Sequence, residues 1–554
     1  MSAPVTVTFL GGLGEIGRNC AAIECDGSIL LIDCGLMFPD ADMLGIDLVL
    51  PDFTWLHERA DDVVGLVATH GHEDHVGGLS YLLRELSFPI YGSALTLALA
   101  SGRISEAGLG DRTEFVAVRD GERRAIGPFE CEFIPVTHSV PHGFATAVHT
   151  PQGTILHTGD FKIDLTPVDG RLTALSVMGA IAENEGVRLL LSDSTNAIEH
   201  GHSRSESSVG AVLDSLFTAQ AGRRVITACF ASHIHRVQQI ADAAIASGRV
   251  VATLGRSMHK NVAIAREMGL LRIPDASLVD IEQVDSLPPG RVCVISTGSQ
   301  GEPMSALTLM ASGESRWLQL TDNDTVILSS HPIPGNEMSV SKVIDGLVRL
   351  GVRVVDSGIS DVHATGHAKA EELKTVLSIT RPEWFTPVHG EYRHLSAHAA
   401  LARTMGVPDD HIHVCEDGDQ LVLDDDGVTR VADAVPAGYL YVDGIVGDVG
   451  GGVLRDRRVL AAEGVVVVIV TVDAKTGSIV TGPEVITRGW VYAPEAEDLL
   501  DGAREVVTDA VKEAFSREAT DIEALQRVVR RAAGRFVNER THRRPMIVPV
   551  VMEA

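Results

Sequence analysis

The chain has 554 residues, 45% of them hydrophobic and 22% charged, with seven cysteines and a formal net charge of −29. Such a length implies roughly three or four domains with ample core, which excludes a disordered chain or a small disulfide-stapled one. The cysteines stand singly with no Cys-x-x-Cys pair, the longest apolar stretch (Val465 to Val470) is too short to span a bilayer, and residues 1–8 lack a signal layout, so a cytoplasmic protein without membrane contact is expected.

Along the chain, Val5 to Leu10 reads as a strand, and Gly12-Leu13-Gly14-Glu15-Ile16-Gly17 follows it in the form of a dinucleotide fingerprint. A dinucleotide site needs a helix next, to aim its N-terminus at the pyrophosphate. Cys20 to Cys25 and Ser28 to Ile32 read instead as a hairpin turning at Asp26-Gly27, so the glycines are expected to shape a loop near the site. Val63 to Thr69 is a β-branched, apolar strand that ends in His70-Gly71-His72-Glu73-Asp74-His75. His70 and His72 can converge on one ion from so short a turn. Asp74 and His75 project differently and can serve a second. Gly77-Gly78 then lets the backbone turn tightly into a helix at Leu79 to Leu86. Imidazoles mixed with a hard carboxylate suit zinc, or manganese where oxygen ligands dominate. Three further ligand candidates also stand at strand ends: His138 after Phe133 to Thr137, Asp160 after Ile155 to Gly159, and His389 after Phe385 to Val388. A carboxylate at Asp160 could bridge two ions.

These residues resemble the metallo-β-lactamase superfamily. His70, His72, Asp74 and His75 match its signature loop, His138 its third motif and Asp160 its fourth. Asp33, after the strand Ile29 to Ile32, matches the first, where the carboxylate supports the site without binding metal. The chain is more similar still to the β-CASP branch, which processes nucleic acid and carries its later motifs far along the chain. Leu191-Ser192-Asp193-Ser194-Thr195-Asn196 resembles motif A, with Asp193 as the acidic residue. His363-Ala364-Thr365-Gly366-His367 resembles motif B, with His367 as its functional histidine, and His389 resembles motif C. Within the branch, Thr297 to Pro303, His331 to Glu337 and Val388 to Arg393 look like ribonuclease J, specifically up to about residue 450 and more loosely beyond it.

The resemblance implies an α/β protein: an αββα sandwich from residues 1–205 and 352–446, an inserted β-CASP domain at 206–351, a linker at 447–460 and a small α+β domain at 461–554. Pattern agrees with this division. From 206 onward, strands (Val225 to Ala228, Val250 to Thr253, Val292 to Ser296, Thr325 to Ser329) alternate with helices (Ser207 to Ala219, Ile234 to Ala246, Asn261 to Met268, Ser339 to Leu350), which favours a mostly parallel sheet. Gly447 to Gly452 holds four glycines. A strand from Gly464 to Asp473 and helices from Ala493 to Arg517 and Asp521 to Glu539 complete the tail.

It further implies two divalent ions per chain, zinc first, with manganese or magnesium as alternatives. Single-stranded RNA is the implied substrate, in RNA maturation (rRNA processing included) and decay. The implied assembly is a homodimer or homotetramer, with RNA-decay proteins as partners. Asp160 would bridge the ions, Asp74 orient the attacking hydroxide, and His367 protonate the leaving 3′-oxygen. His363, Ala364, Thr365 and the amides around Gly366 would hold a phosphate. Ala231-Ser232-His233 resembles a second substrate-contacting turn, with Ser232 also readable as a helix N-cap. A nearby monophosphate pocket would make the enzyme a 5′-to-3′ exonuclease that prefers a 5′-monophosphate, with endonuclease cleavage as a second mode. Gly45, Asp47 and Asp443 match an extra surface cation site of some relatives.

The charge of −29 opposes a polyanionic substrate. Bound metals offset it locally. So do basic residues at Arg223, Arg224, Arg236, Arg256 and Lys260, and the run Arg517 to Pro545, with eight arginines against four acids, which reads equally as a solvated face or as an RNA or partner contact. Three other readings compete: a small-ester or β-lactam hydrolase on the same scaffold, a β-CASP DNA nuclease, and a non-catalytic RNA-binding scaffold. The insertion and the absence of an early last ligand disfavour the first, and a scaffold should have lost a ligand.

Overall fold

The computed structural model describes residues 3–40, 42–333, 335–444, 446–473, 475–491, 496–517 and 521–554. Nearly every residue of Val5–Gly11, Ser28–Ile32 and Val187–Asp193 is buried, as in strands covered on both faces. The first two belong to an eight-stranded sheet ordered Gly427–Val431, Gln420–Asp424, Val5–Gly11, Cys20–Cys25, Ser28–Ile32, Val63–Val67, Ile90–Gly92, Phe115–Ala117. The third belongs to a six-stranded sheet ordered Trp384–Val388, Val187–Asp193, Gly153–His157, Gly143–Thr150, Phe129–Val136, Arg123–Ile126. Val7, Phe9 and Ile23 of one sheet share a core with Phe133, Phe144 and Leu191 of the other. The outer face of the six-stranded sheet packs under Leu175–Asn184, Ala370–Thr380 and Tyr392–Thr404 through Leu156, Leu190, Leu373 and Ala399. The expected αββα sandwich is therefore present.

The inserted segment forms a five-stranded parallel sheet, ordered Val250–Leu254, Val292–Ser296, Arg224–Ala228, Asp324–Leu328, Arg353–Val355, with a separate core on each face. Its last strand lies beyond residue 351, so the expected boundary falls a few residues early: Arg353–Val355 is short and only its last residue is buried, and pairing with Asp324–Leu328 assigns it. Both sheets and the insertion fall in one compact unit, Met1–Phe38 with Val49–Tyr439.

A second unit comprises Pro39–Leu48 and Leu440–Ala554. Val466, Val468, Val470 and Val472 alternate inward along Val465–Asp473 and pack on the helices Glu497–Ser516 and Ile522–Thr541. Sequence reading missed its two partner strands, antiparallel Ser478–Arg488 and parallel Met546–Glu553. The helix expected from Ala493 runs from Glu497; Ala493 itself lies outside the described residues. The expected linker at 447–460 is also corrected. Val446–Asp448 is a strand and Gly450–Glu463 a helix, because the glycines occupy only its first turn and good helix formers follow, anchored by buried Leu454. Among the described residues no helix is long and apolar enough to cross a membrane.

Candidate active site

The site gathers where strands of the sandwich end. Asp33 follows Ser28–Ile32, His70 follows Val63–Val67, His138 follows Phe129–Val136, Asp160 follows Gly153–His157, Asp193 ends Val187–Asp193 and His389 follows Trp384–Val388. Asp33 and His389 leave their strands with positive φ, 62° and 54°, a costly conformation that persists where surrounding structure enforces it. Glycine-rich Leu13–Gly14 opens no helix. It pairs in parallel with Gly390–Glu391, directly after His389, so the fingerprint-like segment is part of the site's wall. Gly35 is required by a close approach: a Cβ there would stand 1.6 Å from the Asp74 carbonyl oxygen.

Two donor sets meet at one carboxylate. His70, His72, His138 and Asp160 present donor atoms within 4.8 Å of one another, and so do Asp74, His75, Asp160 and His389. Hydrogen bonds behind the rings decide which nitrogen faces inward. His75 donates from Nδ1 to Asp33 Oδ2 at 2.7 Å, leaving Nε2 3.2 Å from Asp160 Oδ2. Asp33 in turn accepts from the Thr69 amide at 2.7 Å and the Thr69 hydroxyl at 2.8 Å. His138 donates from Nδ1 to the Gly366 carbonyl at 2.8 Å, and its Nε2 lies 3.2 Å from His72 Nδ1. Such outer partners fix tautomer and orientation in histidine metal sites.

A third cluster joins Asp160 and His389 to Asp193 and His367. His367 donates from Nδ1 to Asp193 Oδ2 at 2.8 Å and stands 3.9 Å from Asp160 Oδ2. Thr195 ties the group together, its hydroxyl 2.8 Å from Asp193 Oδ1 and 2.9 Å from His389 Nδ1.

The electrostatics suit a divalent cation. Burial drives the proton from His70 and His138 and lowers His72 to about 4, so these rings are neutral and ready to coordinate. Burial alone would raise Asp74, Asp160 and Asp193. Neighbouring imidazoles outweigh it, and all three stay below the usual carboxylate range. Burial would lower His389 and His75; the carboxylates, Asp160 foremost, reverse this, pushing His389 up to about 10 and His75 well above the usual histidine value. Three carboxylates gathered here, Asp160 and Asp193 buried and Asp74 partly so, thus demand positive charge, which divalent ions supply more fully than protons.

The residues expected to hold a phosphate include the 363–367 loop, which meets this centre at Gly366 and His367. Asn196 clamps the 363–367 loop, donating to Thr365 Oγ1 at 2.8 Å and the His367 carbonyl at 3.2 Å. His363 keeps a buried Nδ1 with no partner among the described residues, and its ring lies 6.4 Å from that of His331. Ala231 packs in the core that includes Val362 and Ala364, and His233 Nε2 lies 3.3 Å from Glu206 Oε1. Ser232 is not the N-cap: its carbonyl accepts from the Ile234 amide at 2.9 Å, so the helix Ile234–Ala246 starts one residue later, with His233 at the cap position and no side-chain cap bond. Buried Arg236 donates to the Val362 carbonyl at 2.9 Å and to both oxygens of Glu206, bracing turn and loop together.

The residues of the expected extra cation site make hydrogen bonds within the chain. Arg457 donates to the Gly45 carbonyl at 3.0 Å and to Asp443 Oδ2, and Asp47 accepts from the Gly444 amide at 2.7 Å. Sequence reading also missed two residues of the main site. Asn19 donates to the Asp74 carbonyl at 3.1 Å from both its amide and its Nδ2, across a separation no local pattern reveals. Half-buried His157 accepts from the Gly159 amide at 3.0 Å; its place three residues before Asp160 was a signal.

Four family models match: the metallo-β-lactamase superfamily at residues 13–188, the ribonuclease J β-CASP domain at 222–347, the Zn-dependent metallo-hydrolase RNA specificity domain at 351–415 and the ribonuclease J C-terminal domain at 452–554. The chain is 45% identical over its whole length to ribonuclease J of Mycobacterium tuberculosis, covering 98% of that protein. The chain belongs to the ribonuclease J family. It is also 41% identical to ribonuclease J 1 of Streptococcus pyogenes, over 99% of this chain and 97% of that one, and 40% identical to ribonuclease J2 of Bacillus subtilis, over 99% and 98%. A solved structure of a protein of unknown function from Enterococcus faecalis shares the fold, with a TM-score of 0.53 and 16% identity over 76% of this chain and all of that one.

Proposed function

We propose that the chain is a metal-dependent ribonuclease that degrades RNA from a 5′-monophosphorylated end and also cleaves internally. The observation that carries the reading is one carboxylate, Asp160, shared by two donor sets, with His367 3.9 Å away on its own carboxylate partner. His70, His72, His138 and Asp160 would hold one divalent ion, and Asp74, His75, Asp160 and His389 the other. Zinc suits this imidazole-rich set best, with manganese or magnesium as alternatives. When bound, the ions would activate a water near neutral pH and neutralise charge on the phosphate. Asp74, partly open to solvent, orients the attacking water. His367, which Asp193 keeps protonated, donates its proton to the leaving 3′-oxygen. His363, Thr365 and the loop amides, with Ala231 to His233, hold the neighbouring phosphate. A closed phosphate pocket this near the metals would favour a terminal monophosphate over a bulkier triphosphate.

The test compares matched RNAs bearing a 5′-hydroxyl, monophosphate or triphosphate. Fastest loss of the monophosphorylated RNA, with mononucleotide products, is expected. Equal rates with only internal fragments would leave a pure endonuclease. Hydrolysis of DNA or of nitrocefin in place of RNA would favour the competing hydrolases.

Self-association as a homodimer or homotetramer is assigned to the second unit. On the sheet face away from its helices, Val467 pairs with Ile486 and Val548, and Thr471 with Met552; Ile486, Val548 and Met552 remain exposed. The seven free, buried cysteines suit the reducing cytoplasm, where RNA-decay proteins would be partners.

A further inference from the structure

We infer that the last helix, Ile522–Thr541, carries a second RNA-binding surface, one that grips phosphates of single-stranded RNA through Arg527, Arg530, Arg531 and Arg535. This rests on the proposed RNA substrate. Leu525, Val529, Ala533 and Val537 bury one side of the helix. The four arginines recur at helical spacing on the opposite side, all exposed, over about 12 Å of helix axis.

Two observations separate this face from an ordinary solvated one. The first is pairing. The chain has 75 acidic residues against 46 lysines and arginines, so carboxylate partners are plentiful. Several exposed arginines elsewhere take them, Arg381 with Glu183, Arg393 with Glu391, Arg504 with Asp501 and Arg517 with Glu513; others without an ion pair, such as Arg119, Arg272 and Arg316, are not gathered four within nine residues as on this helix. On this helix Arg527 has only a loose 3.8 Å contact with Glu523. Arg530, Arg531 and Arg535 have no carboxylate within ion-pair distance among the described residues. Four guanidinium groups held close together repel one another, and a polyanion relieves that repulsion.

The second observation is Gly534, in the same row. Glycine is the poorest helix residue after proline. A Cβ there would meet only Ile547 Cγ1, at an ordinary 3.7 Å, so packing does not call for glycine. The missing side chain leaves a notch between the arginines where a sugar–phosphate backbone can reach the helix. Guanidinium groups bind phosphate oxygens in bidentate fashion, and phosphate contacts carry affinity without sequence preference. In so acidic a protein, such a surface concentrates the binding energy for a long RNA in one place, without altering the chemistry at the metal centre.

The test uses the full chain with Asp74→Ala, so that RNA survives, with and without Arg530→Gln, Arg531→Gln and Arg535→Gln together. Binding of a long single-stranded RNA and of a short oligonucleotide is followed by fluorescence anisotropy across a salt series. For the long RNA, the triple variant should lower the slope of log affinity against log salt by about 2, at about 0.7 per lost phosphate contact, and weaken low-salt affinity by roughly tenfold or more. The short oligonucleotide should bind unchanged, and circular dichroism should show an intact fold. An unchanged slope for the long RNA overturns the proposal. So does an unchanged slope together with a shift in sedimentation, which would assign the face to a second copy of this acidic chain. If the wild type cleaves no RNA but the slopes differ as stated, the activity reading fails and the surface stands.

Discussion

Asp193 accepts a hydrogen bond from His367 Nδ1 at 2.8 Å, with the carboxylate buried and the ring partly open toward the site. Burial by itself would strip the proton from His367; the Asp193 charge reverses that and raises its affinity above the ordinary histidine value. The pair therefore favours a proton on His367, as the proposed general acid requires.

Asp193→Asn should lower kcat by roughly 10²- to 10⁴-fold, the usual weight of a general acid, while RNA affinity changes little. A raised His367 stays protonated until pH climbs through its shifted value. Removing the charge should therefore move the alkaline limb of the rate profile to lower pH. A variant with the wild-type rate and an unmoved limb would assign the proton to another group.

Asp33 braces the centre through His75, at 2.7 Å, and through Thr69, at 2.7 and 2.8 Å. Asp33→Asn should preserve the fold and weaken metal affinity by about 10- to 100-fold, read by competition with a chromophoric chelator. Unchanged affinity would mean that the His75 ring is held by packing alone.

Elemental analysis of the active protein should find two divalent ions per chain, and a strong chelator should abolish hydrolysis. Asp74→Ala should remove activity with little loss of stability, because Asp74 lies in the short helix Glu73–Val76 beyond the strands and is 28% exposed at its side chain. Activity in a metal-stripped preparation would rule out metal-assisted hydrolysis.

Glu206 and Arg236 form a buried bidentate pair at 2.7 and 2.9 Å. Burial would push the Glu206 carboxyl up. The charges of His233 and Arg236 hold it well below its usual range, and Arg236 is the partner that counts near neutrality, because burial lowers His233 to about 4. A depressed carboxylate adds stability above its unfolded value and loses it as pH falls through the folded value. Wild-type stability should thus decline in acid below the ordinary glutamate range. Glu206→Ala should cost about 3–5 kcal/mol by leaving Arg236 charged and alone, and Glu206→Leu with Arg236→Met should recover most of it. Urea titrations across pH check both, and an equally unstable double variant would contradict the assignment.

Much of this molecule was legible in the chain. The His70 to His75 loop, His138, Asp160 and His389 were recognisable because each follows a run of apolar, β-branched residues, and strand ends are where a sandwich exposes side chains. The helices at 207–219 and 234–246 were read to the residue, because apolar periodicity registers which face is buried. Tertiary structure decided what depends on partners distant in the chain. The tautomers of His75 and His138 follow from Asp33 and from the carbonyl of Gly366, 228 residues beyond His138. The Asn19 contact to Asp74 spans 55 residues. Arg457 donates to oxygens of Gly45 and Asp443, contacts that no local pattern announces. The glycines at 450–452 open a helix whose Leu454 is buried. Local pattern reports how a segment buries its own apolar atoms. Hydrogen bonds and ion pairs need a partner at the right distance, and only the folded chain supplies one.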